Sequence, residues 1–190
     1  MKYKLTLGAV LSFLIVLSGC LSSERLPQLP EGALPWSPSR QITWSDFWGT
    51  PIKTSGGMAC QIFVEAPAYF DRPSLFSKVS VVSSCYMDRK DSWVDSTKAT
   101  PQLLLYAQTV FNIYELYTRK FRQQIDSTTF GVTDVNTQFN KAFQKNQDEL
   151  MNTLKQFEAD TRLGSDLPET QRWFSNVNLQ ISQLARYATD

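Results

Sequence analysis

Pro101-Gln102-Leu103-Leu104-Leu105-Tyr106-Ala107-Gln108-Thr109-Val110-Phe111-Asn112-Ile113-Tyr114-Glu115-Leu116-Tyr117-Thr118-Arg119-Lys120-Phe121 is the stretch on which the fold of this chain turns. Leu104, Ala107, Val110 or Phe111, Tyr114, Tyr117 and Phe121 recur at three- and four-residue spacing, the period of one helical face. Pro101 suits a first helical turn, where the missing N–H would have had no partner anyway. Downstream the same period continues. Val135, Phe139, Ala142, Phe143, Leu150, Leu154 and Phe157 predict a second helix over about 134–161. Trp173, Val177, Ile181, Leu184 and Tyr187 predict a third over about 168–187, with Asp166 as N-cap and Glu169 in the capping-box position. Upstream of Pro101 the pattern is that of strands. Gln61–Ala66 and Lys78–Ser83 are rich in β-branched and aromatic residues, with Gly56-Gly57 and Pro73 as breakers. Strands first and helices later predict an α+β domain: N-terminal antiparallel strands followed by about three amphipathic helices.

Further out, the N-terminus carries an export signal. Met1–Lys4 is a short basic start, and Leu5–Leu17 is an apolar run of secretory length. The run is too short to span a bilayer, which takes roughly 20 apolar residues. It ends in Leu17-Ser18-Gly19-Cys20, which resembles a bacterial lipobox. Cleavage before Cys20 would remove residues 1–19 and leave a thiol to carry diacylglycerol. With three acyl chains, as in bacterial lipoproteins as a class, and about 0.8 kcal/mol per buried CH₂, such an anchor is effectively permanent. Residues 20–39 hold Pro27, Pro30, Pro35 and Pro38 without periodicity and predict a semi-extended tether, leaving 40–190 as a single domain. Leu21, in place of the Asp that retains lipoproteins at the inner membrane of enteric-like bacteria, favours the periplasmic face of the outer membrane if the cell is Gram-negative.

Composition bounds the function. A net charge of +1 gives no electrostatic footprint for nucleic acid, and 42% hydrophobic residues suit a packed body. Of three cysteines, Cys60 and Cys85 remain once Cys20 is assigned to lipid. They fall at the ends of the two strand-like runs in an oxidising compartment, which predicts a structural disulfide; two buried free thiols are the alternative. The chain contains no histidine, which removes imidazole acid–base work and every His-ligated zinc site. No serine is followed three positions later by lysine, so the S-x-x-K arrangement is absent as well. Asp88, Asp91 and Asp95 read as a solvated charged loop, since Arg89 and Lys90 stand between the acids.

Five segments carry a resemblance. Ile42-Thr43-Trp44-Ser45-Asp46-Phe47-x-Gly49-x-Pro51, then Ser92-Trp93-Val94, then Leu104–Ile113 with Glu115 and Arg119-Lys120-Phe121-Arg122, then Phe157–Gly164, and finally Gln171 with Trp173 follow one another in order. Together they resemble a bacterial secreted zinc-dependent protease family, zincin-like in fold. Where that family's helix carries H-E-x-x-H, two histidines on one face bind zinc and the glutamate activates the metal-bound water. Carried over by position, Tyr106 and Val110 stand where the histidines would be, Ala107 where the glutamate would be, and Leu163 at the expected third ligand. Without zinc to lower its pKa, water stays far from ionised at neutral pH. The resemblance therefore implies a pseudoenzyme with no cofactor and no catalytic residue: a lipid-anchored binding or scaffolding protein of the cell envelope, with a protein or peptide partner. A residual hydrolase on a non-histidine site would need a polar, open pocket near Tyr106 with at least two acids. A purely structural envelope lipoprotein would need neither cleft nor exposed edge.

Overall fold

The computed structural model describes residues 28–52, 59–74 and 77–189; Cys20 and the export signal lie outside the described residues, as do Gly56 and Gly57. Its elements run in the order β1 (Ala33–Pro35), a 3-10 turn (Trp44–Asp46), β2 (Cys60–Glu65), β3 (Ala68–Asp71), β4 (Ser80–Ser83), β5 (Tyr86–Val94), α1 (Pro101–Ser127), α2 (Val135–Asp160), α3 (Leu167–Gln183) and a final 3-10 turn (Ala185–Tyr187). The class is α+β, with antiparallel strands preceding three helices.

The axis of the molecule is α1. Thr100 caps it by accepting the Leu103 N–H at 3.2 Å, and Pro101 opens its first turn. Its residues 107–113 are buried without a break, so the helix is enclosed on all sides rather than laid on a surface. Val110, Ile113 and Tyr117 meet Leu150, Leu154 and Phe157 of α2 and Val177 and Ile181 of α3. Ala107 and Phe111 meet Leu34, Phe47 and Met87 on the sheet side. Farther along, Phe121 and Ile125 close over Val79 and Phe139.

Strand pairing departs from the expected neighbours. The three-stranded sheet has the order β1-β5-β2, whereas β3 and β4 form a hairpin of their own. Lys78–Ser83 therefore contributes β4, which pairs with β3 and not with β2. The charged run Asp88–Asp91 is no loop either: it lies within β5, the central strand. It escaped a period-two pattern because the ladder is interrupted there. Gln61 faces Trp93 and Phe63 faces Asp88, so β5 carries extra residues between those pairs. Ser92 bridges the gap, its hydroxyl donating to the Asp88 carbonyl at 2.5 Å and accepting the Phe63 N–H at 2.9 Å. Trp48 and Gly49 donate their N–H groups to the carbonyls of Arg89 and Ser92, both at 2.8 Å. A Cβ on Gly49 would stand 2.9 Å from the Lys90 and Ser92 carbonyl oxygens, which is why glycine is required there. Arg89 lies over the Trp48 ring at 3.8 Å. The segments Ile42–Pro51 and Ser92–Val94, distant in sequence, are thus one structural unit.

The strand register also corrects the expected disulfide. Cys60 faces Val94 at one end of the β2–β5 ladder, while Cys85 precedes Tyr86, which faces Glu65 at the other. Five residues of strand separate those ends by about 17 Å. Helix α1 gives the same length, for Cys60 lies near Tyr106 and Cys85 against Thr118, twelve helical positions farther on, or about 18 Å. A bridge needs Cα atoms within about 7 Å. Both thiols are free and buried. Burial pushes Cys60 up to about 11, and pushes Cys85 well above the ordinary thiol range with Glu115 adding to it, so neither is primed as a nucleophile.

The expected tether is shorter than its prolines suggest. Ala33–Pro35 pairs antiparallel with Asp88–Tyr86 as an edge strand, a place where proline is tolerated. Leu34 is buried in the core, and the Trp36 indole N–H donates to Asn112 at 2.9 Å. The arm is therefore part of the domain from about Pro30 onward, where the Pro30 carbonyl accepts the Ala33 N–H.

Asp46 fixes the turn after this arm. It is buried, and burial works to raise its pKa. The Thr43 N–H at 2.9 Å, the Arg40 guanidinium at 2.7 Å and the Thr43 hydroxyl at 3.1 Å outweigh burial and hold the carboxyl below its usual range. A depressed carboxyl contributes stability that is present above its unfolded pKa of about 3.9 and is lost as the pH falls through the folded value. Asp46→Asn is expected to cost about 2 kcal/mol at pH 7. That cost should shrink in urea melts taken below pH 4, and an equal cost at both pH values would refute this account of Asp46.

Candidate functional site

Two opposite stripes of α1 carry most of the marked positions, with Leu163 on the turn after α2. Tyr106 and Val110, one turn apart, share the first stripe, and Ala107 lies at its flank. Val110 is 9% exposed within the apolar cluster of α1, α2 and α3, while Ala107 is 0% exposed on the sheet side, among Phe111, Leu34 and Met87. Tyr106 stacks on Phe157 of α2 with centroids 5.0 Å apart, and Phe157 meets Trp173 of α3 edge-on at 5.5 Å. The turn that ends α2 closes on the same tyrosine. A Cβ on Gly164 would stand 2.9 Å from the Tyr106 Cβ, and the Gln102 side chain donates to the Gly164 carbonyl at 2.6 Å. The positions matched to a metal helix and to its third ligand are therefore brought close in space. Leu163 is the exception to an apolar filling: it points to solvent at 62% exposure.

Burial raises the Tyr106 phenol far above its ordinary range, with Glu158 and Cys60 adding to it. Glu158 is the acid that acts on Tyr106, while Asp160 accepts the Trp173 indole N–H at 3.2 Å. Among the described residues no group of three or more His, Cys, Asp or Glu side chains is placed to hold a metal ion. Arg162, Leu163 and Gly164 adopt φ values of 50°, 54° and 82° in succession, left-handed backbone that is costly for the first two. The strain is held by the Leu163 N–H donating to the Glu158 carbonyl at 2.9 Å and by the closure of Gly164 on Tyr106.

The second stripe is polar. Gln108, Asn112, Glu115 and Arg119 recur at four-, three- and four-residue steps and are all buried. Gln108 accepts the Ile42 N–H at 2.7 Å and donates to Asn112 at 2.8 Å; Asn112 in turn donates to Asn178 of α3 at 2.9 Å. Arg119 pairs with Glu115 at 2.7 Å and donates to the Ile181 carbonyl at 3.0 Å. Between the arm Trp36–Gln41, α1 and α3 this stripe opens into a cavity of about 420 Å³. Such a polar stripe on an otherwise apolar helix is visible in the sequence; its partners Trp36 and Asn178 are not, because only the tertiary fold brings them to it.

No protein-family description, no curated protein and no solved structure matches the chain. Among the described residues no helix is long and apolar enough to cross a membrane.

Proposed function

We propose that the protein is a lipoprotein anchored through Cys20, at the periplasmic face of the outer membrane in a Gram-negative cell, whose degenerate zinc-protease-like domain binds a protein segment without cleaving it. The observation that supports this most is the filling of the first α1 stripe. Where a metalloprotease needs His, Glu and His around an open coordination position, Tyr106 is stacked, Ala107 is sealed and Val110 is core. Polar ligands would need a solvated or metal-filled cavity; apolar side chains close it at low cost.

The binding surface is the outer edge of β2. It is the last strand of the order β1-β5-β2, so one side of its backbone faces no strand among the described residues. An extended peptide can add to such an edge through main-chain hydrogen bonds, and this requires no zinc. Phe63 on that strand is exposed and apolar, and a peptide added to this edge would cover it.

One preparation tests both parts. The full chain is produced with its leader, extracted from membranes in detergent, weighed by mass spectrometry, and assayed for bound metal and for hydrolysis of a peptide library with zinc added. The expected result is an acylated Cys20, no stoichiometric zinc and no turnover. Stoichiometric zinc with peptide cleavage would sink the pseudoenzyme reading, and an unmodified chain beginning at Met1 would sink the anchor.

A further inference from the structure

The cavity on the second stripe of α1 lies on the far side of the helix from Tyr106, and a hydrogen-bond count shows what it is built to hold. The amide oxygens of Gln108, Asn112 and Asn178 are already used. Asn112 Oδ1 accepts from both Trp36 and Gln108, Gln108 Oε1 accepts from Ile42, and Asn178 Oδ1 accepts from Asn112. What remains free on these amides and on Arg119 is donors: the second N–H of Asn112, the side-chain N–H groups of Asn178, and Nη2 of Arg119. The Arg119 Nε and Nη1 are engaged by Glu115 and by the Ile181 carbonyl, while Nη2 has no partner among the described residues.

Charge points the same way. No acid lines the cavity, and its two charged wall residues are Arg119 and, at the rim, Arg40. Each is paired from outside the cavity, Arg119 by Glu115 and Arg40 by Asp46, so the site suits a single negative charge better than a phosphate dianion. Arg119 is held under the Trp36 ring at 5.1 Å, which fixes its planar fork. Trp36, Phe174 and Ile181 supply apolar wall, with Ser37, Gln41 and Ser182 as further polar lining. A volume of about 420 Å³ lies in the range of small-molecule pockets.

We infer that this cavity binds a small monocarboxylate with an apolar body, the carboxylate on Arg119 and the Asn112–Asn178 amides and the body against Trp36, Phe174 and Ile181. The test uses 3-phenylpropionate and its uncharged amide, 3-phenylpropionamide, titrated calorimetrically into the full chain in detergent. The acid is expected to bind saturably at one site, and the amide at least about tenfold more weakly. Asn178→Asp keeps the oxygen that accepts from Asn112 but replaces the free donors with a negative charge. It is expected to weaken the acid at least about tenfold while leaving the thermal midpoint within a few degrees of wild type. Arg119→Lys, which keeps the charge and loses the fork, should also weaken binding. Equal binding of acid and amide, wild-type binding by Asn178→Asp, or no saturation at millimolar acid would each overturn the proposal.

Discussion

Replacing Glu115 by alanine is expected to destabilise the domain by about 3–5 kcal/mol, lowering the thermal midpoint by about 10 °C. Glu115 and Arg119 are 2% and 4% exposed, and their 2.7 Å contact is formed inside the protein. Desolvation works against both charges, and burial raises the Glu115 carboxyl even with Arg119 and Arg122 beside it. The pair is retained because of what the arginines hold. Arg119 donates to the Ile181 and Leu184 carbonyls, and Arg122 donates to the Tyr187 carbonyl at 2.6 Å and to the Ser83 carbonyl at 2.8 Å. The Ile181, Leu184 and Tyr187 carbonyls are the last of α3 and of the turn after it, groups a helix cannot satisfy internally and at the negative end of its dipole, whereas Ser83 belongs to β4. Glu115 therefore stands behind two cations that bind the C-terminus of α3 to α1 and to β4. Without it, both guanidinium groups remain buried with their charge uncompensated. Glu115→Gln keeps an acceptor for the Arg119 Nε and is expected to cost less than the alanine. Urea melts of both variants at pH 7 decide the matter: losses under 1 kcal/mol in each would mean that the pair contributes no net stability.

The helices were legible in the sequence because each buries an apolar face at a single period. Leu150, Leu154 and Phe157 on α2, and Val177 and Ile181 on α3, reach α1 as their spacing predicts. The sheet was much less legible. Two β-rich runs in succession suggest a hairpin, but β2 passes over β3 and β4 to pair with β5, a strand disguised by Asp88-Arg89-Lys90-Asp91. Those polar residues tolerate a central strand because the ladder opens there and Ser92, Trp48 and Gly49 supply its missing bonds. The mistaken disulfide followed from the mistaken partner, since a cysteine at the end of a run does not reveal which strand lies beside it. Proline misled in a similar way: Pro35 closes an edge strand that the backbone of Tyr86 can pair with, although its composition reads as linker. At the site, the sequence marked the residues of α1 but not the two-sidedness of the helix. A buried amide such as Asn112 has value only through Trp36 and Asn178, which lie 76 and 66 positions away.

Ala107→Glu, which places a carboxylate where the proposed protease-like reading would have a general base, is expected to be the most damaging of the substitutions considered. A carboxylate placed at a site of 0% exposure, against Phe111, Met87 and Leu34, meets neither water nor a cation. The effective penalty for one buried ion is several kcal/mol, and the added side-chain volume costs about 1–3 kcal/mol more. Against a total stability of about 5–15 kcal/mol, the variant should be largely unfolded or should keep the glutamate protonated well above its ordinary pKa. Ala107→Ser is the control, adding one hydroxyl that can donate back to the carbonyl of residue 103 in the preceding turn, at an expected cost of about 1–2 kcal/mol. Circular dichroism and urea melts at pH 5 and pH 8 separate the outcomes. Because burial raises the carboxyl in the folded state, the variant should lose stability as the pH rises from its unfolded pKa toward its folded value, the opposite sign to Asp46. A variant as stable as wild type at both pH values would show open, polar space beside Ala107. The first stripe of α1 would then not be filled, and the case for a sealed metal site would fail with it.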